Sequence, residues 1–220
     1  MTRNHMKKHI LSLALIGTTW ASTAQVVLTP PAKTITTGKA EVTCLAIAPK
    51  GDRILVGTAR GAELYDMESG KRVARFPYNE DGSEVVYHAS FNDNGEWVVL
   101  IGYAGTREVW DVKDGKQDKM IARHKWIPDA IRTRGMGLKK GNSDFDRFYQ
   151  QVEATEGGIT AKADKNGMVV FTDDGGNALQ RIAYPDNKDQ HHRAPCLFRN
   201  GQFITGTDDG RVLFYDLVKR

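Results

Sequence analysis

Four segments of this 220-residue sequence align on one another, and each alternates short apolar runs with turn residues. They span residues 42–76, 85–121, 148–182 and 194–217. Each segment predicts a strand, a glycine turn, a strand, a small-residue turn and a strand ending in an aromatic residue, and the first three continue into a further strand. The residue pairs that set the alignment are Tyr65-Asp66, Trp110-Asp111, Phe171-Thr172 as a weakened copy, and Tyr215-Asp216.

The residues within these repeats favour strands over helices. Residues 54–56, 97–101 and 169–171 are aliphatic, β-branched or aromatic. The tight-turn residues between such runs are Lys50-Gly51-Asp52, Asp93-Asn94-Gly95 and Asn200-Gly201. No segment longer than ten residues has a convincing 3.6-residue apolar period. The predicted fold class is therefore all-β.

The first 24 residues have the layout of a secretory signal peptide. Three basic residues and no acidic residue precede an apolar run, residues 10–20, which is too short to span a bilayer. The predicted cleavage lies between Ala24 and Gln25, and an uncleaved membrane-anchoring helix is the alternative. The sequence thus predicts an exported protein, periplasmic, secreted or on the cell surface. Residues 25–220 are expected to form a single domain without a transmembrane segment.

The net charge of +4 is unevenly distributed along the chain. Of the 31 basic residues, three lie in the signal segment, so 28 basic residues face 27 acidic ones in the mature chain. Residues 119–140 contain seven basic residues and one acidic residue, which leaves the rest of the mature chain mildly acidic. A nucleic-acid partner would need basic and stacking aromatic residues along a face, and export also argues against it.

The repeat pattern resembles the WD-repeat family of β-propellers, in an exported bacterial member, over roughly residues 33–217. The residues that carry the resemblance are Trp110-Asp111 with its Tyr-Asp variants, residues 91–95 and residues 206–210. The resemblance implies a β-propeller, and the four repeats in the sequence give it about four WD-like blades. It also implies a non-enzymatic scaffold that binds protein partners through its top face and blade edges.

The way such a ring would close follows from the ends of the repeats. The fourth repeat stops after its third strand, while residues 32–37 precede the first repeat without a blade of their own. We expect residues 32–37 to supply the outer strand of the last blade and to cover an exposed edge. The alternative is a half-ring completed by another protein or by a second copy, as in a homodimer.

Two cysteines, Cys44 and Cys196, occupy the same position of the first and fourth repeats. In an exported protein they could form a disulfide if ring closure brings these repeats together. The favoured alternative is a pair of small buried core residues, because innermost strands of adjacent blades diverge beyond bonding range.

The connection between the second and third repeats, about residues 119–145, is longer than a compact domain needs. Basic residues interleaved with apolar ones suit an acidic protein surface, an anionic lipid or glycan, or nucleic acid. The candidate partner-binding residues are Arg123, Lys125, Trp126, Arg132, Arg134, Lys139 and Lys140. The alternative is a solvated loop whose Trp126 packs on the side of the domain.

Catalytic motifs are sparse in this sequence. It contains no nucleophile elbow, no phosphate loop, no Cys-x-x-Cys and no His-Glu-x-x-His. Its Asp-rich turns lack the glutamate of a full calcium loop, so they are expected to be hairpin turns. We therefore predict no catalytic, cofactor or metal site, and a scaffold in the bacterial envelope or extracellular space. The alternative is an envelope ligand-binding propeller, or an enzyme that uses the central channel.

Overall fold

The computed structural model describes residues 25–78, 85–102, 107–117, 149–164, 167–183 and 193–218, which contain fifteen β-strands and no helix. The strands are β1 (Lys33–Thr36), β2 (Val42–Ile47), β3 (Arg53–Thr58), β4 (Gly61–Asp66), β5 (Arg72–Phe76), β6 (Val86–Phe91), β7 (Trp97–Gly102), β8 (Arg107–Asp111), β9 (Glu153–Glu156), β10 (Ile159–Ala163), β11 (Met168–Asp173), β12 (Ala178–Ala183), β13 (Cys196–Arg199), β14 (Gln202–Gly206) and β15 (Arg211–Asp216). The predicted all-β class is confirmed. Within these ranges no helix could cross a bilayer.

The strands form four antiparallel sheets that repeat one strand order along the chain. The first sheet is β2-β3-β4-β5, the second β6-β7-β8, the third β9-β10-β11-β12 and the fourth β13-β14-β15-β1. In the second sheet, Trp110 on β8 also forms an isolated bridge with Gln117. The hairpins turn at glycines such as Gly51 and Gly95, whose φ angles of 76° and 75° disfavour side chains with a Cβ.

The N-terminal strand β1 completes the fourth sheet, as predicted for residues 32–37. Lys33 pairs with Phe214 and Thr36 with Arg211, so β1 covers the edge that β15 would otherwise expose. Successive side chains of a strand point to opposite faces, and Ile35 is the fully buried residue of β1. The first and last strands of the chain are therefore held in one sheet.

The residues before β1 extend this pairing to the third sheet. Val27 bridges Leu217 beyond the end of β15. Gln180 on β12 accepts the backbone N–H groups of Val26 and Val27 on its side-chain oxygen (2.7 and 2.8 Å). Its side-chain nitrogen donates to the Val27 carbonyl (3.0 Å). One glutamine thus ties the N-terminal segment to the outer strand of the third sheet.

The third repeat aligns one residue later than the sequence pattern suggested. The last residues of the corresponding strands are Asp66 on β4, Asp111 on β8, Asp173 on β11 and Asp216 on β15. Thr172 therefore stands at the aromatic position, and the predicted alignment on Phe171 is wrong. Phe171 points to the opposite face and packs edge-to-face on Phe203 of the fourth sheet, with ring centroids 5.0 Å apart.

Apolar clusters between consecutive sheets hold the sheets together. They lie between the first and second sheets, the fourth and first, and the third and fourth. Representative pairs across these junctions are Leu55 with Leu100, Ile54 with Phe214, and Phe171 with Phe203. Burial of such side chains is the main stabilising contribution to a fold of this kind.

A small residue near the end of the second strand lets the next sheet approach closely. Gly57 on β3 lies against Val86 of the second sheet, and Gly206 on β14 lies against Val42 of the first sheet. A Cβ at Gly57 would collide with the Cys44 sulfur, and one at Gly206 would collide with Val42. Gly206 is therefore required by packing between sheets, and Gly57 by the Cys44 thiol of its own sheet together with Val86 of the next, rather than by their own backbone angles.

The junction after the second sheet lacks this small residue. On β7 the corresponding position is occupied by Ile101. It lies four residues after Trp97, which pairs with Asp111, just as Gly57 and Gly206 lie four residues after the first paired residues of β3 and β14. It forms a separate buried cluster with Val99 and Val109. Tyr87 on β6 packs edge-to-face on Tyr149, which precedes the third sheet, with ring centroids 5.2 Å apart.

Candidate interaction surfaces

The first strands of the sheets converge on residues 149–152, which precede β9. Gln151 accepts the backbone N–H of Leu45 on β2 (2.7 Å) and donates its side-chain nitrogen to the Leu45 carbonyl (2.8 Å). The Gln151 carbonyl accepts the backbone N–H of Cys196 on β13 (2.6 Å). A single glutamine therefore acts as a strand partner for β2 and joins the first, third and fourth sheets.

Tyr149 extends this central network. Its hydroxyl donates to Glu41 (3.2 Å), and the Arg193 guanidinium lies 5.4 Å from its ring centroid. Burial, followed by the negative charge of Glu41, raises the pKa of Tyr149 well above its ordinary value. The phenol therefore stays protonated and serves as a hydrogen-bond donor. In the described residues, the region between the first strands is packed and hydrogen-bonded.

The carboxylates with shifted pKa values belong to turns. Asp66 accepts hydrogen bonds from the Ser69 hydroxyl and backbone (2.6 and 2.7 Å), which lower its pKa. The pKa of Asp173 is lowered in the same way, by hydrogen bonds from the side chain and the backbone N–H of Asn177. Both carboxylates close hairpins, as expected for Asp173 in the Asp-rich turn of residues 173–175. No three His, Cys, Asp or Glu side chains in the described ranges are grouped so as to hold a metal.

Cys44 and Cys196 are both buried and free, and no disulfide joins them. Cys44 lies in the cluster between the first and second sheets, and Cys196 in the cluster between the third and fourth. The two thiols therefore belong to different junctions of the fold, which explains why they are not bonded. Burial raises the pKa of each to about 12 and keeps both protonated.

A cleft of about 640 Å³, here called the intersheet cleft, opens between the first and second sheets. One wall is the close approach of two hairpins, where a Cβ on Gly95 would lie 3.2 Å from Pro49. The apolar residues lining it are Val73, Phe91, Trp97 and Val112. The charged residues around them are Lys50, Asp52, Arg53, Glu96, Asp111 and Lys113. The lining thus combines apolar side chains with charged side chains of both signs, and protein interfaces contain both kinds of residue.

Val73 is an exposed apolar residue of the intersheet cleft. It lies on β5, the outer strand of the first sheet, and 48% of its surface is exposed. Large apolar residues with this exposure are rare in the part of the chain that the structure describes; Leu28 is the other. Val73 therefore adds exposed apolar surface to the intersheet cleft.

A second cleft, of about 540 Å³, lies on the third sheet. Lys162 and Glu153 form an ion pair across it (3.1 Å), and both side chains are at least half exposed. Thr160 and Thr172 also line it, and Thr172 replaces the aromatic residue of the other repeats. An exposed ion pair contributes little to stability, so this face is held mainly by its strand pairing.

The structure covers only part of the predicted site. Ala24 and all seven predicted partner-binding residues lie outside the described ranges: Arg123, Lys125, Trp126, Arg132, Arg134, Lys139 and Lys140. Gln25 is described and exposed.

Sequence reasoning missed two residues of these surfaces. No signal could have identified Gln151, which follows a long insertion without periodicity. Val73 stands between basic residues on an outer strand, and this isolated apolar position was a readable signal.

The comparisons with known proteins give no family. No protein-family model and no curated protein matches this sequence. Among solved structures, the chain is similar to the crystal structure of the computationally designed Ika8 protein, with 16% identity and a TM-score of 0.29. The match covers 80% of this chain and 45% of the designed chain, so this protein spans less than half of that length. This similarity is too weak to support an argument, and membership of the WD-repeat family stays a prediction.

Proposed function

We propose that this chain is a WD-repeat-like propeller of four blades that acts as a non-enzymatic scaffold for protein–protein interaction. Three features support a ring: the repeated strand order of the sheets, the completion of the fourth sheet by β1, and the convergence of the first strands on Gln151. In this arrangement each sheet is a blade with its first strand innermost. We place the mature chain, residues 25–220, in the periplasm or outside the cell.

The intersheet cleft is the main support for a role in protein binding. It combines the exposed Val73 with Phe91 and Trp97, and charged side chains of both signs line the same cleft. Aromatic residues at the centre of a desolvated patch contribute most of the binding energy in protein complexes. The cleft therefore fits a partner segment that carries an apolar anchor flanked by charges.

Two alternatives are less well supported. An enzyme or ligand binder that uses a central channel needs reactive or ligand-binding groups facing open space between the first strands. Gln151 and Tyr149 instead make structural hydrogen bonds there, to Leu45 and Glu41. A half-ring completed by a partner would leave β15 as an open edge, whereas β1 covers it.

Affinity capture from the envelope of the source organism tests the proposal. The mature chain would be compared with the variant Val73→Asp/Lys113→Glu, and captured proteins would be identified by mass spectrometry and purified. We expect at least one protein to bind the wild-type chain directly and to lose about tenfold or more affinity for the variant.

The matched control is Arg181→Glu, which also reverses an exposed charge but lies on β12, away from the cleft. Its affinity should equal that of the wild-type chain, and all variants should melt within about 2 °C of it because the substituted residues are on the surface. No direct binding partner for the wild-type chain would refute the scaffold function. Equal affinity of the cleft variant would refute the assigned site.

The basic insertion is tested by a separate variant. Its residues suit an acidic partner surface, so replacing Arg132, Arg134, Lys139 and Lys140 by alanine should weaken capture and make it less sensitive to salt. Capture that is unchanged in strength and salt dependence would reduce the insertion to a spacer.

A further inference from the structure

A pocket of about 150 Å³, here called the rim pocket, lies at the opposite ends of the strands from the intersheet cleft. It forms where the β1–β2 connection meets the turn between β3 and β4. The floor residues are the buried Thr37, Thr58 and Glu63. The wall residues are the exposed Lys39, Arg60 and Arg75. Three cations from three separate elements thus surround one small concavity.

The floor of the rim pocket is fixed by its own hydrogen bonds. The Thr37 hydroxyl donates to the Gly210 carbonyl (2.8 Å), and the Thr58 hydroxyl donates to the Gly61 carbonyl (3.0 Å). Because each hydroxyl has only one proton to donate, neither can donate to a ligand without losing its present bond. Donors for a ligand must therefore come from the cationic walls.

Glu63 does not cancel the positive charge of these walls. Its carboxylate accepts the Tyr65 hydroxyl and the Arg72 guanidinium, the latter at 3.0 Å, and its side chain is only 11% exposed. Arg75 lies farther away, with its Nε 4.0 Å from Glu63, and stays 56% exposed. Among the described lining residues, three cations therefore face one carboxylate that is already paired with Arg72.

We propose that the rim pocket binds a single carboxylate group on an acidic segment of a protein partner. Arg60 and Arg75 offer planar donor groups that match a carboxylate, and Lys39 offers an ammonium group. The pocket volume suits one such group projecting from a larger molecule. The identity of the partner as a protein rests on the function proposed above, whereas the binding of an anion by the pocket does not.

Binding of short peptides to the full mature chain tests this assignment. The probe is a capped hexapeptide of aspartate and glutamate, compared with its asparagine and glutamine counterpart and with inorganic phosphate, by calorimetry at low salt. We expect the acidic peptide to bind and the neutral peptide not to bind. The variant Lys39→Ala/Arg60→Ala should bind the acidic peptide at least about tenfold more weakly, because two charged contacts are lost.

The matched control is Lys162→Ala/Arg181→Ala, which removes two exposed cations from the third sheet. Its affinity should stay within about twofold of the wild-type chain, because only long-range charge is lost. Equal affinity of both double variants would overturn the assignment to the rim pocket. Phosphate binding that is tighter than peptide binding and depends on Lys39 and Arg60 would overturn the choice of a carboxylate.

The same variant separates this inference from the scaffold function. Loss of peptide binding together with weakened partner capture supports both. Loss of peptide binding with unchanged capture overturns the role of the pocket in partner binding and leaves the scaffold function standing. A wild-type chain that binds the acidic peptide but captures no protein overturns the scaffold function and leaves anion binding at the pocket established.

Discussion

Two glutamine side chains make backbone hydrogen bonds of the kind that a neighbouring strand would make. Gln151 and Gln180 each present a carboxamide to both the N–H and the carbonyl of one backbone residue, Leu45 and Val27 respectively. A carboxamide has the same donor and acceptor groups as a peptide unit, so it continues the pattern of a sheet where no strand is present. Both glutamines belong to the third sheet or its approach.

Removing the Gln151 amide should therefore destabilise the whole fold. Gln151→Ala leaves the Leu45 N–H and carbonyl without their present partner in a buried position, at a cost of about 1–3 kcal/mol in the free energy of unfolding. Urea unfolding would measure this. Gln25→Ala, at an exposed glutamine, is the control and should change stability by less than about 0.5 kcal/mol. Equal stability of the two variants would contradict the role given to Gln151.

The two buried thiols, Cys44 and Cys196, should make the stability of the protein depend on pH. Their pKa is about 12 in the folded protein against an ordinary value of 9.0, so the folded state binds these protons more tightly. Their contribution to stability is complete below pH 9 and is lost as the pH rises to 12. The unfolding midpoint of the wild-type chain should therefore fall more steeply over this range than that of Cys44→Ala/Cys196→Ala.

Thiol labelling gives the matching control for burial. At pH 8 neither Cys44 nor Cys196 should react with an aromatic disulfide reagent while the protein is folded, and both should react in denaturant. Rapid labelling of either thiol in the native protein would show that it is not held in the core.

Some features of the strands could be predicted from the sequence, and others could not. The closing role of β1 was predictable because one strand was left over at the start and one was lacking at the end. The slip at Phe171 arose because alternate residues of a strand face opposite sides, so an error of one residue reverses the face. The rim pocket was not predictable, since Lys39, Arg60 and Arg75 meet only after the strands have paired.

Strand β1 offers a test in which neighbouring residues act as mutual controls. Ile35 is buried between the fourth and first sheets, whereas Thr34 points to solvent. Ile35→Ala should lower the free energy of unfolding by about 2–4 kcal/mol, because it removes apolar contacts and leaves a cavity. Thr34→Ala should change it by less than about 0.5 kcal/mol. Equal effects in urea unfolding would show that β1 is not packed as described.

Among the described sheets, apolar clusters join the first to the second, the fourth to the first and the third to the fourth. Gly57 and Gly206 lie against the next sheet, whereas Ile101 takes the corresponding position on β7. In the sequence, the basic insertion of about residues 119–145 lies between β8 and β9. The propeller is therefore proposed to be asymmetric, with its partner-binding features concentrated on the first two sheets and on the insertion.

Closure of the ring within one chain predicts the mass of the mature protein in solution. Multi-angle light scattering across a wide concentration range should give one chain per particle, because β1 already covers the edge of β15 and no second copy is needed to complete the sheet. A stable dimer at all concentrations would contradict the closed four-blade ring and favour a half-ring completed by a second copy.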